Sequence, residues 1–154
     1  MPSSSPSTAD SGSGRRLRGA AEWWLVLRIG ALRVALPLLK RGLPASRLVR
    51  LLAAPRTVIR NPVRERLVLA VAGRMWRRWP GTCFERSLAV HRELGKAGAS
   101  PKLVLAMGRH ADEMVGHAWV EVDGRPVLEA SDPRESFAAV VAFDANGNRL
   151  PDQR

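Results

Sequence analysis

The chain has 154 residues, of which 45% are hydrophobic and 25% are charged, which suits one domain plus an appendage. The net charge of +11 is uneven, because residues 1–80 hold 16 Lys/Arg and 3 Asp/Glu, whereas residues 81–154 hold 9 and 11. Nucleic-acid-binding proteins usually add a recognisable motif or stacking aromatic residues to such a basic region. We find no such motif and therefore expect no nucleic-acid partner.

The N-terminal half is predicted to be helical after a short tail. Residues 1–19 are predicted to be a disordered tail, because Ser, Pro and Gly dominate them. Residues 20–74 are predicted to form a basic helical region, and residues 75–154 a separate core. Within these regions we expect helices from residue 20 to Pro37, over residues 45–54 and over residues 62–79, with Trp76 and Trp79 facing the core.

The apolar run at residues 23–39 does not predict a membrane span. A span needs about 20 mostly apolar residues, and Arg28 and Arg33 interrupt this run. Arg15 and Arg16 resemble a twin-arginine signal only faintly, since no unbroken apolar region follows them. We therefore expect a cytoplasmic protein, with peripheral contact to a membrane surface as an open alternative.

A further helix is predicted to begin at Cys83. Thr82 is a suitable N-cap residue, and Glu85 completes a capping box three positions later. The apolar positions that follow recur at helical spacing, which indicates an amphipathic helix with Cys83 in its first turn. Gly95 and Gly98 are expected to end it.

The remaining sequence predicts an antiparallel sheet. Strands are expected at residues 101–107, 117–122, 126–130 and 136–143, with a polar loop over residues 108–116 and a hairpin turn at Asp123–Gly124. The predicted order is N-terminal helices, a Cys-bearing helix and then this sheet. This order predicts an α+β fold in which the Cys-bearing helix packs on the sheet.

Cys83 is the candidate nucleophile. It is the only cysteine, so no internal disulfide can form. The unpaired N–H groups at a helix N-terminus carry partial positive charge, which favours a thiolate in the first turn. The same N–H groups can stabilise an oxyanion on an attacked carbonyl.

His117 is the candidate general base. His91 lies eight residues along the same helix, about 12 Å from Cys83 by helical rise, which is too far for proton transfer. His110 falls in the predicted polar loop. His117 instead begins a predicted strand, with Trp119 on the same face, and regular structure holds a base in place.

Two carboxylates, Glu129 and Asp132, could orient the imidazole. A two-residue hairpin turn would place His117 opposite Ala130 and direct Glu129 to the other face of the sheet, which favours Asp132. A three-residue turn with Gly124 as a bulge would place His117 opposite Glu129. The sequence leaves both registers open.

Three segments resemble lasso-peptide maturation proteases, which belong to the transglutaminase-like cysteine protease superfamily and have a papain-like core. Residues 81–89 (GTCFERSLA) resemble the segment that opens their peptidase domain, and residues 98–107 resemble the turn and strand that follow. Residues 117–124 (HAWVEVDG) resemble their His block. The resemblance covers about residues 75–143.

The resemblance implies a role for each candidate residue. Cys83 would be the nucleophile and His117 the general base, with an acid about a dozen residues beyond it. Glu129 lies at that distance, although the family more often has Asp there, so Asp132 stays an alternative. The resemblance implies no cofactor and no metal.

The resemblance also implies a substrate and partners. Such proteases remove the leader from a ribosomally made lasso-peptide precursor, and in many systems a separate protein binds the leader. We expect such a leader-binding protein here, with the basic helices of residues 15–78 docking it or the macrolactam cyclase. Other acyl transfer or deamidation, and a non-catalytic basic binding module, are the alternatives.

Overall fold

The computed structural model describes residues 19–54, 59–110 and 112–151. The tail predicted at residues 1–19 lies outside this part of the chain, except for Gly19. The helices are α1 (Ala20–Gly42), α2 (Ala45–Leu52), α3 (Pro62–Arg78) and α4 (Cys83–Lys96). The strands are β1 (Lys102–His110), β2 (Glu113–Val122), β3 (Arg125–Val127) and β4 (Ala138–Phe143), with a 3-10 turn at Pro133–Glu135. The predicted α+β fold is confirmed.

The first helix continues beyond the predicted stop at Pro37. Proline costs a helix interior about 3 kcal/mol, because it removes a hydrogen bond and crowds the preceding turn. The residues around it anchor the last turns: Leu36 is 1% exposed, and Leu39 packs against the core. Burial of these side chains holds α1 together as far as Gly42.

The third helix begins at Pro62, as predicted. Pro62 occupies the first turn, and the Asn61 side chain accepts a hydrogen bond from the Arg64 N–H at 2.9 Å. At the other end, Trp76 packs against the core as predicted. The same prediction for Trp79 is wrong. Trp79 comes directly after the last helical residue, and it is 58% exposed.

The four strands form one antiparallel sheet in the order β3-β2-β1-β4. The loop predicted over residues 108–116 is wrong, because β1 and β2 pair as far as His110 opposite Glu113. This end of the hairpin is largely exposed, so its polar side chains do not interrupt a buried face. The predicted return strand is shortened, because β3 ends at Val127.

One hydrophobic cluster joins the helices to the sheet. It contains Ile29 of α1, Leu48 of α2, Val68 of α3, Leu88 of α4 and Leu103 of β1. The boundary predicted between residues 74 and 75 lies inside α3, and this cluster contains residues from both sides of it. A hydrogen bond also attaches α4 to the sheet, because Ser87 Oγ donates to the Ala118 carbonyl of β2 at 2.8 Å.

Ion pairs fix α1 against α4. Arg28 donates to the buried Glu93 carboxylate at 2.7 Å, and Lys40 donates to Glu85 at 2.6 Å. Two basic residues of α1 therefore form ion pairs within the protein. Within residues 19–54, 59–110 and 112–151, no helix is long and apolar enough to cross a bilayer.

Candidate active site

The N-terminus of α4 is closed by the predicted capping box. Thr82 Oγ1 accepts a hydrogen bond from the Glu85 N–H at 3.3 Å, and the Thr82 N–H donates to Glu85 Oε2 at 3.4 Å. Burial on its own would raise the pKa of Glu85, but hydrogen bonds from Lys40 and Thr82 hold this pKa below its usual range. The box fixes Cys83 as the first residue of the helix.

Cys83 is half-buried and lines a cavity of about 320 Å³. His117 and Glu129 line the same cavity, together with Trp76, Gly81, Thr82, Arg86, Leu128 and Ala130. The structure therefore brings the predicted nucleophile, the predicted base and one of the two predicted acids together. A second cavity of about 520 Å³ shares part of this lining and continues past Gly73 and Pro80.

His117 is held on β2 by contacts on several sides. Its ring stacks on Trp119 with centroids 6.0 Å apart and lies 4.9 Å from the Phe137 ring. Its Nε2 atom is 3.1 Å from Glu129 Oε2. An ionised carboxylate can only accept, so this contact assigns the hydrogen to Nε2 and leaves Nδ1 as the basic nitrogen.

The backbone after the hairpin brings Glu129 to His117 in an unexpected way. Asp123 (φ 52°) and Gly124 (φ 75°) form the two-residue turn, and Val122 pairs with Arg125. For this register the sequence predicted that Glu129 would lie on the other face of the sheet from His117. That prediction is wrong. Leu128 has a φ of 62°, so the strand alternation stops before Glu129.

Asp132, the alternative acid, has other partners. Its side chain caps the 3-10 turn by accepting from the Arg134 N–H at 3.0 Å, and it also accepts from the Arg134 guanidinium. These hydrogen bonds lower the pKa of Asp132. The structure therefore brings Glu129, and not Asp132, into contact with His117.

Arg86 is a site residue that the sequence reasoning missed. Its guanidinium donates to Glu129 Oε1, so the carboxylate bridges Arg86 and His117. Arg86 is three positions after Cys83, and residues three apart share one side of a helix. That spacing is the signal that could have identified it.

The other two histidines lie elsewhere. His91 is 1% exposed, and its Nε2 donates to the Asp144 carbonyl at 2.9 Å. Burial lowers the pKa of His91, which keeps the ring neutral in the core. His110 is the last residue of β1, not part of a loop as predicted.

Comparison with known proteins gives one match. Residues 25–142 match the family described as the transglutaminase-like superfamily, a span that begins inside α1 and ends inside β4. No curated protein and no solved structure matches the chain. The match includes the segments that carry Cys83, His117 and Glu129. The chain belongs to the transglutaminase-like superfamily.

Proposed function

We propose that this protein is a cysteine peptidase that removes the leader from a ribosomally synthesised lasso-peptide precursor. The observation that carries the proposal is the cavity that Cys83, His117 and Glu129 line together. Membership of a superfamily of cysteine-protease-like enzymes supports the reaction class. The resemblance of residues 81–89 and 117–124 to lasso-peptide maturation proteases supports the substrate.

The nucleophile and base are each prepared for their step. Cys83 is the first residue of α4, beside backbone N–H groups of the first helical turn that can contact the attacked carbonyl. The contact between His117 Nε2 and Glu129 leaves Nδ1 to take the thiol proton. Glu129 also stabilises the imidazolium that results, and Arg86 holds the carboxylate in place from its other oxygen.

The reaction then proceeds in two halves. The Cys83 thiolate attacks the carbonyl at the leader–core junction, and backbone N–H groups at the start of α4 stabilise the oxyanion. The C–N bond breaks, the core amine takes the proton from His117, and the leader remains as a thioester on Cys83. Water then attacks with His117 as base, the C–S bond breaks and the leader leaves with a free carboxylate.

The freed amine of the core is the group that a macrolactam cyclase needs. We propose that a separate protein binds the leader and that the basic helices dock that protein or the cyclase, in the cytoplasm. Arg47 and Arg50 are exposed on α2 and carry the charge for such a contact, whereas Arg56 lies outside the described residues. Charge reversal at Arg47 and Arg50 is expected to weaken complex formation and leave the cleavage site unchanged.

Mass spectrometry of a candidate precursor tests the reaction. The precursor is incubated with this protein and a leader-binding partner, with Cys83→Ala and His117→Ala in parallel. Circular dichroism checks that both variants are folded. Cleavage at one bond, lost in both variants, is the expected result.

The other outcomes point to the alternatives. A mass change without cleavage would indicate transfer or deamidation, because both use the same thioester. No change with any partner combination, or a Cys83→Ala variant with full function, would reject the peptidase in favour of a non-catalytic binding module.

A further inference from the structure

The solvent face of α1 is apolar over most of its length. Six residues share this side of the helix and are here called the α1 stripe: Trp23, Trp24, Leu27, Ala31, Val34 and Leu38. The five large side chains are 57%, 63%, 59%, 72% and 64% exposed. The spacing from residue 24 to residue 38 keeps them in line for about 21 Å.

Three of the basic side chains of α1 contact other parts of the protein. Arg28 reaches Glu93, Arg33 donates to the Pro80 carbonyl at 2.8 Å, and Lys40 reaches Glu85. A surface helix normally places its charges in water and its apolar residues on the core. Here α1 buries a second apolar row that includes Ile29 and still leaves the α1 stripe in solvent. Such a patch indicates a contact surface.

Neither the chain's own tail nor a second copy is suited to cover the α1 stripe. Residues 1–18 contain few apolar side chains, so they offer little to bury against it. Three arginines precede the stripe in the sequence, at positions 15, 16 and 18, and Arg41 follows it. Two stripes packed together would also bring two chains of net charge +11 into contact, and their mutual repulsion costs free energy.

We propose that the α1 stripe docks this protein on an anionic lipid surface. A helix that lies in the membrane interface has an apolar face, tryptophans at the headgroup level and basic residues beside them. The α1 stripe has Trp23 and Trp24 at one end and arginines beyond both ends. Those arginines attract an anionic headgroup layer, while the stripe inserts among the upper acyl chains.

Vesicle co-sedimentation tests the proposal with the full chain. The protein is mixed with vesicles of phosphatidylcholine and phosphatidylglycerol, and separately with vesicles of phosphatidylcholine alone. Binding to the anionic vesicles is expected, with a decrease at high salt. The Leu27→Gln/Val34→Gln variant is expected to lose about tenfold or more in affinity, since both side chains would leave the acyl layer.

Val63→Gln is the matched control. Val63 is 68% exposed on α3, away from the α1 stripe, so this variant is expected to bind like the unchanged protein. Thermal unfolding checks that every variant is folded. Equal binding of the double variant, or equal binding to both kinds of vesicle, would overturn the proposal.

Two results would assign the α1 stripe to a protein contact instead, and each would overturn the lipid proposal. One is a dimer in vesicle-free sedimentation that the Leu27→Gln/Val34→Gln variant loses. The other is a double variant that binds anionic vesicles normally but no longer binds the leader-binding partner.

Discussion

Glu129 is the side chain on which two basic groups of the cavity converge. One carboxylate oxygen meets His117 and the other meets Arg86. The two partners come from β2 and α4, so the carboxylate couples the imidazole to the helix that carries Cys83. In the proposed mechanism Glu129 fixes the tautomer and the direction of the ring, so its removal tests the rate more than binding.

Glu129→Gln is expected to lower kcat for precursor cleavage by about 10²-fold with little change in KM. The amide keeps the shape of the side chain but removes the negative charge that stabilises the imidazolium. Steady-state cleavage assays measure the effect. Asp132→Asn is the control, because Asp132 pairs with Arg134, and a larger loss in this variant than in Glu129→Gln would contradict the assignment.

Cys83 and His117 could be selected as candidates from the sequence because the signals around them are local. The Thr82–Glu85 capping box is complete within four residues, and it fixes Cys83 at the start of a helix. The choice between Glu129 and Asp132 depended on the backbone at Leu128, four residues beyond the turn. The left-handed conformation of Leu128, a residue that rarely adopts it, gave no sign in the sequence.

At the scale of elements, α4 is the helix that the rest of the site depends on. It carries Cys83 and Arg86, and its first turn is tied to α1 by the hydrogen bond from Lys40 to Glu85. Glu85 therefore serves both the cap and the packing of two helices. Its protonation would weaken both contacts.

The stability of the protein is expected to fall in acid partly through Glu85. The pKa of Glu85 is below its usual value near 4.5 in the folded protein, so the unfolded chain binds this proton more readily. Its contribution is complete above pH 4.5 and is lost as the pH falls through the folded-state pKa. Glu85→Gln is expected to reduce the acid dependence of the free energy of unfolding, measured by denaturant titration at several pH values.

The exposed Glu135 provides the control for this measurement. Glu135→Gln is expected to keep the acid dependence of the unchanged protein. If the free energy of unfolding of Glu85→Gln depended on pH as in the unchanged protein, the carboxylate of Glu85 would not contribute to the acid dependence.

Element boundaries were predictable where a cap or turn residue marks them and not elsewhere. Asn61–Pro62 and Thr82 mark the starts of α3 and α4 correctly. Pro37 suggested a stop that the buried residues around it override, and the polar composition of residues 108–116 concealed an exposed hairpin. In both cases pairing or burial at a distance decides the local structure.

At the scale of the whole molecule, the N-terminal helices and the segment that carries Cys83, His117 and Glu129 share one core. Ile29 and Leu36 of α1 belong to the same cluster as Leu88 and Leu94 of α4. The family match likewise begins at residue 25. The helices before residue 75 thus provide much of the surface on which α4 packs.

A chain of residues 75–154 is therefore expected to lack cooperative unfolding. Removal of the earlier helices would expose the apolar side of α4 and leave the buried Glu93 without Arg28. Circular dichroism during thermal unfolding, with the full chain as the control, measures the difference. A sharp transition in the shorter chain would show that residues 75–154 fold independently.

The position of Cys83 also has a practical consequence. It is the only thiol in the 154 residues, and it is half-buried in the lining of the cavity. A fluorophore or electrophilic probe attached through sulfur would label this point alone, without any substitution of other residues. Labelling stoichiometry would then count intact sites directly, and loss of labelling after air exposure would record oxidation of the same atom.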